Sequence, residues 1–133
     1  MKKCKIRRYK TSWPSCDNVV ISLFEGECTD TYDSTQIGIV EVRVSKTGEH
    51  KGEGYIWNLH VTEEYRGNGF GRVLLHDAIC VAEESGCKSV TLDWSIEEAA
   101  RWVFDWYVRN GFDEREFGRD CAYMVKELKG GEE

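Results

Sequence analysis

The sequence predicts an α/β domain built on one mixed sheet. Three observations carry this expectation. The first half alternates β-branched and polar residues at period two. A glycine-rich turn at 67–71 then leads into a segment whose apolar residues recur at three- and four-residue steps. A second helical segment follows, and short strand-type stretches return at the end.

The elements follow in order. Residues 4–9 form a short first strand, and Trp13-Pro14-Ser15 is a turn. Residues 19–24 are apolar and β-branched, a second strand. The polar, acidic stretch 26–34 is a loop. In 36–44, Val40, Val42 and Val44 mark the buried side, while Ile37, Ile39, Glu41 and Arg43 form the other. The glycine-bearing stretch 46–54 is a hairpin loop, and 54–61 is a strand rich in aromatic and β-branched residues. Phe70, Val73, Leu74, Ala78 and Val81 line one face of a helix that Gly86 ends. Residues 89–93 are a strand. Ser95-Ile96-Glu97-Glu98 has the pattern of a capping box and predicts a helix opening there, with Ile96, Ala99, Ala100, Val103, Trp106 and Tyr107 on its apolar face. Asn110-Gly111 stops it, and 112–117 and 121–128 are the last strands.

Bulk properties bound the function. With 133 residues, 41% of them hydrophobic, the chain makes one core-bearing domain over 1–129, with a frayed tail at 130–133. No apolar run reaches the ~18 residues of a membrane span, and the basic N-terminus lacks the apolar segment of a secretory signal. The expectation is a cytoplasmic protein that engages no membrane. A net charge of −6 disfavours nucleic acid and suits a cationic partner. The six cysteines form no C-x-x-C pair and have no histidine at zinc spacing, so no metal site is expected and the thiols are free and mostly buried. Among the tryptophans, Trp102 and Trp106 are expected in the core. Trp57 and Trp94 are divided between core filling and a role at the site, where Trp94 could stack on a cation.

The stretch Arg66-Gly67-Asn68-Gly69-Phe70-Gly71-Arg72 carries the chemistry. Alternate glycines strip side chains from one rim. The helix that follows points free N–H groups and the positive end of its dipole at one spot, and the arginines add charge. A diphosphate suits such a place. The turn lacks the Gly-Lys-Ser/Thr of a Walker loop and the spacing of a dinucleotide fingerprint.

Arg66-x-x-Gly69-x-Gly71 after Leu59-His60-Val61 resembles the acetyl-CoA signature of the GNAT superfamily of N-acetyltransferases. Tyr107-x-x-x-Gly111-Phe112 and Tyr123-Met124-Val125-Lys126 are similar to its late helix-to-strand motif and last strand. The resemblance implies a mixed, mostly antiparallel central sheet with a splayed parallel strand pair, here 54–61 and 89–93, flanked by helices. The two helices that the family carries after its first strand are shortened or absent, because only residues 10–18 separate the candidate strands. The acceptor groove is therefore open, or is completed by a partner subunit of a homodimer.

The resemblance also assigns roles. The pantetheine arm of acetyl-CoA lies on Leu59, His60 and Val61. Its pyrophosphate lies on Arg66, Gly67, Asn68, Gly69, Phe70, Gly71 and Arg72. Tyr107 is the general acid for the departing thiolate. The resemblance names no general base; Glu53, Tyr55, Asn58, His60 and Asp93 all sit on or beside the splayed strands, and Glu53 or His60 is the candidate, with a water chain as the alternative. The implied reaction is direct attack of a primary amine (a small amine, an amino sugar or a peptide amine) on the thioester in a ternary complex. A non-catalytic CoA-binding or scaffolding module is the alternative. At the position where the family often has an asparagine, seven residues before the tyrosine, this chain has Ala100.

Overall fold

The computed structural model describes residues 4–26 and 35–128. Seven strands form one sheet: β1 (Cys4–Ser12), β2 (Cys16–Glu25), β3 (Gln36–Ser45), β4 (Glu53–Val61), β5 (Ser89–Ser95), β6 (Asp113–Phe117) and β7 (Cys121–Glu127). Among the described residues there are two α-helices, α1 (Phe70–Glu84) and α2 (Arg101–Arg109), and a single 3-10 turn at Glu63–Tyr65. The strand order is β1-β2-β3-β4-β5-β7-β6, with β4 and β5 the parallel pair and the remaining neighbours antiparallel. A parallel pair needs a crossover, and α1 supplies it. Trp13 N–H donates to Cys16 O at 2.8 Å and closes β1 onto β2 as a hairpin, with no helix between them.

Alternation decides which side of the sheet is covered. Val19, Ile21 and Leu23 of β2, with Val40, Val42 and Val44 of β3, are buried with Leu74, Leu75, Ala78, Val81 and Ala82 of α1. Arg8 of β1 reaches Asp77 at 2.8 Å and Glu84 at 2.9 Å on α1, tying the edge strand to the helix. Gly38 of β3 permits the closest approach: a Cβ there would stand 2.7 Å from His60 O and 2.8 Å from Leu74 Cδ1. The other side of β2–β4 carries Asn18, Glu41, Arg43, Tyr55 and Trp57. Among the described residues no helix lies over it.

Five expectations need correction or fall outside these residues. The second helix does not open at Ser95. Residues 96–98 form a turn, Ser95 Oγ accepts from Glu97 N–H at 3.3 Å, and Ala100 is extended with ψ 156°. The buried Trp94 indole donates to Ala100 O at 3.3 Å, and this tertiary contact delays the helix to Arg101. Ile37 is fully buried instead of facing out with Ile39, because the pairing shifts between Leu23 and Phe24 and leaves it as an extra residue in β3. Trp102 is 66% exposed on the outer side of α2. The thiols are less buried than expected: Cys87 is buried, Cys16 and Cys80 are intermediate, and Cys4 and Cys121 at strand starts are exposed. Most of the 26–34 loop, Cys28 and the 130–133 tail lie outside the described residues.

Candidate active site

β4 and β5 share three rungs, Glu53 with Ser89, Gly54 with Val90 and Tyr55 with Thr91. Beyond these the strands part, although β4 runs on to Val61 and β5 to Ser95. The cause lies in β4. Trp57 pairs with Glu41 and His60 with Ile39, so Asn58 and Leu59 together oppose Val40. This is a β-bulge, and it bends the strand that carries it. Asn58 takes φ +55°, the one positive φ at a non-glycine among the described residues. The bulge also shifts the alternation by one: Gly54 and Ile56 are buried before it, and Leu59 and Val61 pack on the core after it.

Three side-chain hydrogen bonds hold the bulge from the uncovered side. Asn58 Nδ2 donates to Glu41 Oε2 at 2.8 Å, Asn18 Nδ2 to Glu41 Oε1 at 2.9 Å, and Trp57 Nε1 to Asn18 Oδ1 at 3.2 Å. The Arg43 guanidinium lies 5.3 Å over the Trp57 ring.

The glycine turn stands at the open end of the V. Gly67 and Gly69 both have φ +83°, a conformation that a Cβ disfavours. Gly69 is the N-cap of α1, and no side chain caps the helix, so its first N–H groups are left for an anion. Arg66 Nε donates to Val61 O at 2.8 Å, which anchors the guanidinium beside the end of β4. Asn68 Nδ2 donates to the carbonyls of Tyr65 and Arg66 and braces the turn. Arg66, Asn68 and Arg72 are exposed, and Phe70 packs edge-on against Tyr65 with ring centroids 6.1 Å apart. The ten residues expected to hold a cofactor thus fall on one stretch, from the bulge of β4 to the first turn of α1.

α2 closes the other side. The Trp106 ring lies 3.8 Å from where a Cβ on Gly71 would stand, beside Val61. Tyr107 stacks at a tilt on Trp106, centroids 5.3 Å apart, and meets Phe112 edge-on at 5.9 Å. Burial pushes the Tyr107 phenol up to about 12, and its hydroxyl has no hydrogen-bond partner among the described residues. Trp94 is core, T-shaped against Phe104, and the cation over its ring is the chain's own Arg101 at 5.3 Å.

The two candidate bases are far apart along β4. Glu53 lies on the first closed rung, its carboxylate 3.1 Å from His50 Nδ1. His60 is exposed on the open half, one residue past the bulge. Tyr55 and Asp93 flank the point where the strands part, and no local signal in the sequence links them. Tyr55 Oη donates to Asp93 Oδ2 at 2.9 Å. Beyond Asp93 a cleft of about 520 Å³ runs across β7 to β6, lined by Asp93, Ser95, Glu116, Cys121 and Tyr123 among others and, among the described residues, by no lysine or arginine. Among the described residues no group of three or more His, Cys, Asp or Glu side chains could hold a metal ion, and no helix is long and apolar enough to cross a membrane.

Comparison with known proteins agrees with this fold. The model of the acetyltransferase (GNAT) family matches residues 7–117. No curated protein sequence matches the chain. Among solved structures, the PaiA N-acetyltransferase from Thermoplasma acidophilum in complex with coenzyme A is similar at TM-score 0.66 and 21% identity, covering 84% of this chain and 61% of that one. This chain thus spans less than two thirds of that relative's length. An acetyltransferase from Bacillus cereus ATCC 14579 is similar at TM-score 0.65 and 21% identity, covering 85% and 74%. A chain of the NatC complex bound to Gag peptide and CoA is similar at TM-score 0.67 and 19% identity, covering 83% and 71%.

Proposed function

The chain belongs to the GNAT family of acetyltransferases, and from that premise we propose that it is a cytoplasmic N-acetyltransferase moving the acetyl group of acetyl-CoA to a primary amine. The observation that carries the reading is the join of two features. An uncapped helix mouth with two left-handed glycines sits at the open end of a strand pair that parts after three rungs.

The pyrophosphate of CoA binds the free amides of 69–72, with Arg66 and Arg72 adding charge. The pantetheine arm runs along β4 at Leu59, His60 and Val61, where backbone groups facing β5 have no strand partner. This brings the thioester into the V, against Trp106 and Tyr107. An amine attacks the thioester carbon, and a β4 amide near Val61 stabilises the developing oxyanion. Tyr107 donates its proton to the departing thiolate. Burial raises this phenol to about 12, so at neutral pH it carries the proton it gives. The attacking amine must lose a proton. His60 is preferred over Glu53 as its acceptor, because His60 stands on the open half of β4 while Glu53 is taken up by His50.

The acceptor enters from the uncovered face. Asp93 and Glu116 line its cleft, and among the described residues no lysine or arginine does, which favours an amine on a positively charged molecule. The test is release of free thiol from acetyl-CoA by the purified protein with small amines, amino sugars and peptides. Release with a cationic amine is the expected result. A rise in melting temperature with acetyl-CoA but no thiol release with any acceptor would leave a CoA-binding module in place of an enzyme.

A further inference from the structure

We propose that Glu41 is a positioning residue that holds the open half of β4 in the shape the pantetheine arm requires. This rests on the CoA reading above. The bulge places one more residue in β4 than β3 can pair, and the surplus residue, Asn58, has φ +55°. Asparagine enters that region more easily than most residues, but at a cost. Something must therefore hold it. The Glu41 carboxylate does so with both oxygens: one takes the Asn58 amide at 2.8 Å, the other the Asn18 amide at 2.9 Å. Asn18 is itself fixed by the Trp57 indole at 3.2 Å. Side chains from β2, β3 and β4 thus meet on the side of the sheet away from α1.

The consequence lies on the opposite side. The bulge turns Leu59 and Val61 toward the core and leaves the β5-facing backbone of β4 unpaired. Without Glu41, Asn58 can relax to an ordinary extended conformation. The register of 59–61 then slips by one, which moves each side chain to the other face. Only the fraction of molecules with the bulge in place binds the arm, and apparent affinity falls by that fraction.

The experiment measures, by calorimetry on the full chain, affinity for CoA and for its nucleotide half without the pantetheine arm. Glu41→Ala should weaken CoA about tenfold and leave the nucleotide half within about twofold of wild type, since that half binds the glycine turn. Asn58→Gly should bind CoA like wild type, because glycine adopts positive φ unaided. Combined with Glu41→Ala, it should restore most of the lost affinity. Glu41→Gln, which keeps one good acceptor, should fall between, and it carries the test if Glu41→Ala does not fold. Three results overturn the proposal: full CoA affinity in both Glu41 variants, equal loss of both ligands, or no rescue by Asn58→Gly. A wild-type protein that binds neither ligand overturns the CoA reading itself.

Discussion

Tyr55 donates a 2.9 Å hydrogen bond to Asp93 across the point where β4 and β5 separate. Burial, then the Asp93 bond and charge, push the Tyr55 phenol up to about 12. Burial alone does the same to Tyr107. An unfolded tyrosine titrates near ~10, so between about 10 and about 12 the folded state keeps protons that the unfolded state has lost. The stability these groups add is complete below pH ~10 and disappears as pH climbs through ~12. The melting temperature should fall over that window, and Tyr107→Phe should make the fall shallower. Asp93→Asn should let the Tyr55 phenol ionise at lower pH, seen as earlier phenolate absorbance. A titration unmoved by Asp93→Asn would contradict the coupling.

Tyr107→Phe removes the proton and keeps the ring. Thiol release should slow by roughly 100-fold or more, the usual worth of a placed general acid. CoA affinity should stay near wild type, because the phenyl ring still packs on Trp106 and Phe112. Unchanged turnover would remove Tyr107 from the chemistry.

Gly69 and Gly71 should behave differently although both belong to one motif. Gly69→Ala forces a Cβ into a left-handed conformation at a cost of about 1–2 kcal/mol. At Gly71 a Cβ meets only ordinary contacts of 3.7 Å and beyond, so Gly71→Ala should change stability by no more than about 0.5 kcal/mol. Denaturant unfolding of the two variants separates these outcomes.

Gly38→Ala tests the approach of β3, β4 and α1. The new methyl would meet a backbone oxygen and a buried leucine inside 3 Å, and the loss should be about 1–3 kcal/mol. An unfolding midpoint equal to wild type would show that the three elements can move apart.

Much of this was legible in the chain because the signals were local. The strands, the turn with its glycines and α1 each follow from composition and period within a few residues. The start of α2 was not legible for the opposite reason. Ser95 and Glu98 have the right chemistry for a cap, but the Trp94 indole takes the Ala100 carbonyl, a contact that depends on the finished core. With the helix beginning at Arg101, its inward side is Val103, Phe104, Trp106 and Tyr107, and Trp102 turns to solvent. The bulge did leave a trace. Gly54 and Ile56 alternate in one phase and Leu59 and Val61 in the other, and such a break marks an inserted residue. The meeting of Asn18, Glu41 and Asn58 left none, because nothing local links three positions on separate strands.

That inserted residue makes the V depend on arithmetic more than on chemistry. Any side chain placed at 58 leaves the count of residues between Trp57 and His60 the same, so exchange at this point weakens the bend without removing it. Deletion of one residue there is different in kind. It would bring the two halves of the strand into a single phase and let β4 zip up along its neighbour where the cofactor needs a gap.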